Sequence, residues 1–330
     1  MLQWCLRVDP VARLLYAVAP NSGIDCRRVR RVQTWRSSIK LPLHIIDGRT
    51  VKPHRRGALA LLRRFLMAPF VTAWHHRDLI AAILRRELHE RFKGSVAGWA
   101  WAVAAPLLSL LTYTIAFSGV VKLPGDAAAG PKADYALFIF GGLVAFNFFT
   151  EMAYRAPSLL HEYSHFIKQT MFPAEMLAII STLRATVYAS IALVLMLLAQ
   201  LIMSGTLYWT AIALPLWFAL FVAFLIGVTW LLSAMGAFTR DASYLMMTIA
   251  PLLMFITPVF FAPQALTPTV RLLLYANPLS GFIEIVRDLV VFGILPSLLV
   301  CLWTTTCSAV AFWFGFWFFT RHRDGIADVI

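Results

Sequence analysis

The sequence predicts an all-α, polytopic membrane protein. Six transmembrane helices are expected, with an interfacial amphipathic helix before them and a re-entrant helix pair between spans five and six. Three observations predict this. Apolar residues make up 60% of the chain and charged residues 14%, against about 45–50% and about 25% in soluble domains. Long stretches carry no Asp, Glu, Lys or Arg, the longest being the 55 residues of Ala185–Thr239. The net charge of +13 is confined to residues 1–95, which hold 19 Lys/Arg against 6 Asp/Glu. So few charges cannot cover a soluble globule of this length, which excludes a soluble enzyme, a disordered protein and a disulfide scaffold. Spanning β-structure needs a closed barrel with alternating polarity, whereas these stretches are apolar on every face.

Residues 1–60 are Arg-rich and broken by Pro10, Pro20, Pro42 and Pro53. Their longest early apolar stretch, Leu14–Ala19, is too short for a signal peptide. They read as a basic, disordered extension that is dispensable, with Met67 the more natural start. A basic segment suits nucleic acid or anionic lipid. Beside a membrane domain, lipid at the cytoplasmic surface is the better reading, and no nucleic-acid partner is expected.

Residues 75–93 read as the amphipathic helix. Ile80, Leu84, Leu88 and Phe92 recur every four residues with Ile83 beside them, and Arg85, Arg86, Glu87, His89, Glu90 and Arg91 fill the other faces. Glu87 and Arg91 have the spacing of a favourable i,i+4 pair. Such a helix lies in the headgroup plane; a soluble core helix is the competing reading.

A bilayer core about 30 Å thick takes about 20 residues of helix. This places spans near 96–121, 135–153, 177–203, 209–238, 242–261 and 296–320, with a tail at 321–330. Ser204-Gly205-Thr206 divides the long uncharged stretch into spans three and four. Arg184, near the start of span three, is expected to snorkel, with Glu151 as an alternative partner. Arg85, Arg86, Arg91 and Lys93, then Arg155 and Lys168, then Arg321 and Arg323 fall on one side if there are six spans. Lys/Arg mark the cytoplasmic side, so both termini are expected there.

Two loops stand out. Tyr154–Glu175, between spans two and three, is the largest polar insertion in the membrane domain, and Ser158 is expected to cap a helix over Leu159–Gln169. Pro263–Gly293, between spans five and six, carries Arg271, Glu284, Arg287 and Asp288 beside apolar Leu272–Leu274 and Phe282–Val286. Those charges are expensive in hydrocarbon. Two short helices turning at Asn277-Pro278 satisfy both demands, with charges toward an aqueous exit.

Arg91-Phe92-Lys93-Gly94-Ser95-Val96-Ala97-Gly98, followed by Trp101 and Pro106, resembles the opening of ABC-2 type permeases that export O-antigen, capsule and teichoic acid. Four further stretches resemble the family in the same order: Ile167-Lys168 to Phe172-Pro173, Thr239-Arg240-Asp241, Tyr275-Ala276-Asn277-Pro278-Leu279, and the closing Ile326-Ala327-Asp328-Val329-Ile330. The likeness covers roughly residues 75–330.

The resemblance implies a permease homodimer in the bacterial inner membrane. Two ATPase subunits would hold ATP and Mg, with no cofactor on this chain. The chain itself would be a transporter subunit and not an enzyme, in keeping with a sequence that has no GxxxxGK[ST] phosphate loop. The cargo would be a polysaccharide, lipid-linked O-antigen or capsule in type. By the same resemblance, Leu159, Glu162, Phe166, Lys168, Phe172 and Pro173 would meet the ATPase, with Arg240 and Asp241 a second contact. Arg271, Asn277, Pro278, Glu284 and Arg287 would form the outer gate.

Aromatic residues Trp99, Trp101, Tyr113, Phe117 and Phe255 suit either lipid-facing bulk or a glycan pathway, because rings stack on sugar C–H faces. Gly94 and Gly98 permit either close helix approach or a bend into span one. His161-Glu162-Tyr163-Ser164-His165 is a literal HExxH, which would make an intramembrane zinc protease the alternative. Against it, the motif falls in a polar loop, and after His165 no further histidine occurs before His322. A small-drug exporter of the same fold is the other alternative.

Overall fold

The computed structural model describes residues 66–117, 133–165, 173–263 and 267–329. The described part of a first unit is 66–82; the described residues from Ile83 onward form a second. In the first, residues 66–75 are helical, and Leu66, Met67, Phe70, Val71 and Trp74 are exposed. The extension expected at 1–60 lies outside the described residues.

Helices are the only regular structure among the described residues. They are α1 (Arg77–Glu90), α2 (Ala100–Phe117), α3 (Ala133–Arg155), α4 (Leu159–Glu162), α5 (Glu175–Ser204), α6 (Leu214–Phe238), α7 (Asp241–Ile256), α8 (Pro268–Ala276), α9 (Pro278–Arg287) and α10 (Leu298–Val329). Among these residues, four stretches are long and apolar enough to cross a membrane: Tyr135–Glu162, Glu175–Ser204, Trp209–Phe238 and Leu298–Ile326. They correspond to expected spans two, three, four and six. The helices at spans one and five are shorter, with 18 and 16 residues, or about 27 and 24 Å at 1.5 Å per residue.

Both shortenings have local causes. Gly94 and Gly98 take left-handed φ of 83° and 51°, so the chain bends where span one was expected to begin. No atom lies within 4 Å of a Cβ built at either glycine, which favours the bend over a packing contact. The far end of span one, 118–121, is outside the described residues. Span five was expected to reach residue 261 but stops at Ile256. Thr257 precedes Pro258, and a residue before proline leaves the helical region; its ψ is 139°. The expected tail continues α10 as helix to Val329.

α3 is the central helix. Leu137, Ile139, Met152 and Ala153 are fully buried, and α2, α5, α7 and α9 all pack on it. α6 and α10 lie along each other for much of their length. A Cβ added at Gly227 would overlap the backbone of Ala311, and one at Gly315 would overlap the backbone of Gly227. Small residues permit this approach where apolar burial cannot drive helices together. Phe148, Phe221, Phe224 and Phe282 fill the centre, with Phe221 and Phe282 stacked at 4.4 Å.

The C-terminal parts of α6 and α10 meet the start of α5. Trp230 donates its indole N–H to the Glu175 carbonyl at 2.8 Å. Arg323 of α10 pairs with the Glu175 carboxylate at 3.4 Å.

Candidate functional site

The segment after α3 was expected to face a partner. A 3-10 turn, Ala156–Ser158, leads into α4. Gly236 of α6 brings these elements close, since a Cβ there would overlap the Pro157 backbone. Leu159 and Leu160 are consequently 0% exposed. This corrects the expectation that Leu159 meets the ATPase: the end of α6 already covers it. Glu162, Arg240 and Asp241 are exposed, and Pro173 is buried. Phe166, Lys168 and Phe172 lie outside the described residues.

Ser158 occupies the N-cap position without capping. Its hydroxyl donates instead to Glu162 at 2.7 Å. The helix expected over 159–169 breaks at Tyr163, whose φ is −105° and ψ 14°. This removes the continuous turn that would set both histidines of HExxH on one face. His161 Nε2 bonds with the Gly236 carbonyl at 3.2 Å, and Glu162 faces Arg155 at 3.6 Å. Among the described residues, no three His, Cys, Asp or Glu are grouped to hold a metal.

Beside this segment lies an ion network of which the sequence reading named only the Arg184–Glu151 pair, as an alternative. Glu87, on the inner face of α1, is 5% exposed. It pairs with Arg155 at 3.1 Å and Arg184 at 3.5 Å and accepts from the Tyr163 hydroxyl. Burial, then the bond to Glu87, raises the Tyr163 phenol above its ordinary value, so it stays protonated and donates. Arg184 also reaches Glu151 at 3.3 Å, and Arg91 reaches Glu151 at 2.5 Å. Two expectations are corrected. Arg184 does not snorkel; it pairs with Glu151 and Glu87 because α1 buries its guanidinium among carboxylates. Glu87 does not pair with Arg91 at i,i+4, because these tertiary partners take both side chains; Arg86 and Glu90 make the i,i+4 pair at 3.0 Å.

The five aromatic candidates do not form one cluster. Trp99 is 42% exposed and groups with Phe92 and Tyr188, where Arg91 lies over the Tyr188 ring. Trp101 and Phe255 are exposed, whereas Tyr113 packs on the phenylalanine-rich core. The Phe117 side chain is outside the described set.

The loop between spans five and six forms α8 and α9, turning at Asn277. The Asn277 side chain accepts from Leu279 N–H at 3.1 Å and donates to Thr257 at 3.0 Å, and Pro278 takes the first helical position. Arg271 donates to the Pro263 carbonyl at 3.2 Å. Glu284 accepts from the Tyr275 hydroxyl at 3.0 Å. Leu272 is exposed and Ile283 buried.

Arg287 overturns its expectation. It does not face an aqueous exit but is 3% exposed. It donates to the carbonyls of Phe138, Pro258 and Val259 at 2.8, 2.6 and 2.5 Å. The reason lies at the end of α7. Proline stops that helix early, so carbonyls beyond its end have no helical N–H to accept from. The guanidinium fork supplies the donors.

Comparison with known proteins bears on the whole of this arrangement. Residues 78–291 match the ABC-2 type transporter family. Relatives named O-antigen export system permease protein RfbA occur in Klebsiella pneumoniae and Myxococcus xanthus. The first is 26% identical over 220 residues, covering 66% of this chain and 82% of the relative. The second is 22% identical over 261 residues, covering 78% and 97%. A multi-pass helical membrane protein whose match runs from α1 through α9 is therefore no stray likeness: the chain belongs to the ABC-2 type transporter family.

Proposed function

We propose that this chain is the membrane subunit of an ABC exporter that moves a polysaccharide, lipid-linked and of O-antigen or capsule type, across the bacterial cytoplasmic membrane. The observation that carries this reading is the family match together with relatives named as O-antigen export permeases. ATP and Mg belong to a separate ATPase subunit, since no phosphate loop occurs in this sequence. The permease acts as a homodimer with both termini cytoplasmic. Six spans result when α2, which precedes the four longer stretches, and α7, which lies between the third and fourth of them, cross as short spans. α8 and α9 form the re-entrant pair over the outer mouth, because Arg287 satisfies backbone that hydrocarbon cannot. Glu162, Arg240 and Asp241 are the exposed residues available to the ATPase.

Removing the gene from its host tests this reading. The expected result is loss of surface glycan with accumulation of the lipid-linked polymer inside the cell. Unchanged surface glycan with new sensitivity to small hydrophobic drugs would replace it with the drug-exporter reading.

A further inference from the structure

The ion pairs around Glu87 join into one line. Arg91, Glu151, Arg184, Glu87, Arg155 and Glu162 alternate in sign, with successive separations of 2.5, 3.3, 3.5, 3.1 and 3.6 Å. The six formal charges cancel. Exposure also follows the line. The side chains of Arg91 and Glu162 at its ends are 39% and 45% exposed, whereas Arg184 and Glu87 in the middle are 11% and 4%. One end sits at the bend between α1 and α2, the other on α4, and the middle crosses α3, α5 and α1.

We propose that this ladder is a relay, with Glu87 as its positioning residue, coupling the position of the segment after α3 to the entrance of the first span. The proposal rests on the exporter reading above and adds the residues that link its two cytoplasmic elements. An exposed ion pair contributes little and is easily broken, which suits the wet ends. A desolvated charge that loses its partner is costly, so the dry middle rearranges together and not pair by pair. Each interior charge serves two opposite neighbours. Moving Glu162 therefore changes the pull on Arg155, then on Glu87, then on Arg184. The Nε of Arg155 is buried without a hydrogen-bond partner, so Arg155 keeps a donor for a shifted carboxylate. Tyr163, adjacent to Glu162 in the chain, is bonded to Glu87 as well. The receiving end has room to move, since nothing lies within 4 Å of a Cβ at Gly94 or Gly98.

The test uses the full chain with its ATPase in liposomes, with Cys5, Cys26, Cys301 and Cys307 replaced and Val96→Cys as reporter. Val96 lies fully exposed between the two glycine bends. In the otherwise unaltered protein, trapping the ATPase with ATP and vanadate should change the maleimide labelling rate by about tenfold, within the range that coupled sites show. Glu87→Gln should abolish that change while ATP hydrolysis continues, and Glu87→Asp should restore part of it. Glu162→Gln, at the exposed end, should reduce it without risk to folding. A nucleotide-dependent change that persists in Glu87→Gln and Glu162→Gln would overturn the relay, as would its absence in the unaltered protein. Labelling needs no glycan, so an intact response without polysaccharide export would instead count against the exporter reading.

Discussion

Replacing Gly227 with alanine is expected to separate α6 from α10 and to lower the amount of folded protein in the membrane. The sign follows from two opposing terms. Alanine is worth about 1 kcal/mol over glycine in a helix interior. The added methyl, however, would overlap the backbone of Ala311 and Phe312, where no flexible side chain can give way. Overpacking of this kind costs about 1–3 kcal/mol and sometimes more, and the α6–α10 contact is the most extensive among the described helices. Gly315→Ala should act in the same way, because its Cβ meets the Gly227 backbone. The two effects should not add, since both push on one contact. Gly325→Ala is the control. Its Cβ would meet only the Phe238 ring at 3.5 Å, so propensity should win and stability should hold or rise. Unfolding midpoints of the purified variants check all three. A Gly227→Ala protein as stable as the Gly325→Ala protein would contradict the packing account.

The second large effect is expected at Arg287. Arg287→Met keeps most of the side-chain bulk but removes every donor. The carbonyls of Pro258 and Val259, beyond the end of α7, would then lie buried with the guanidinium bonds gone. An unsatisfied buried acceptor costs about 1–3 kcal/mol, so losing both is a large fraction of the stability of a typical domain. Arg287→Lys should recover only part, because an ammonium is a point charge and lacks the fork that reaches three carbonyls. Denaturation of the three proteins in detergent should order them wild type, Lys, Met. The burial of Arg287 and the exposure of Leu272 also set a labelling pattern. Arg287→Cys should resist a membrane-impermeant maleimide from outside while the protein is folded, whereas Leu272→Cys should react. Rapid labelling of Arg287→Cys in a stably folded protein would place this residue back at an aqueous exit.

The contrast between these sites shows what the chain discloses on its own. The third and fourth spans were readable because Ser204-Gly205-Thr206 interrupts an uncharged stretch, and the structure ends α5 at Ser204 with Gly205 in the left-handed region. The end of span five was misread because apolar Val259, Phe260 and Phe261 continue the pattern past Pro258. Hydropathy registers those side chains but not the N–H that proline lacks. That same break explains the misreading of Arg287. A charge in a short helix points to water only if no acceptor waits inside, and the acceptors come from α3 and from the end of α7.

The ladder was illegible for a different reason. Its members lie 60 or more residues apart at the joints between Arg91 and Glu151 and between Glu87 and Arg155. No local spacing announces such pairs, and the tempting i,i+4 partner of Glu87 was the wrong one. Gly227 and Gly315 carried a weak signal, being small residues inside two long apolar runs. The face that each presents became clear only once α6 and α10 were placed side by side.

The central claim is that this chain carries polysaccharide across a membrane on behalf of a separate ATPase. It is tested most directly by reconstituting both proteins into sealed vesicles with the lipid-linked glycan of the host on the ATPase side. With ATP and Mg present, the account predicts that polymer becomes accessible to a glycan-binding probe on the opposite side. It predicts none when the ATPase is omitted or when ATP is replaced by a non-hydrolysable analogue. Polymer that stays on the ATPase side while the assembled complex hydrolyses ATP would contradict it.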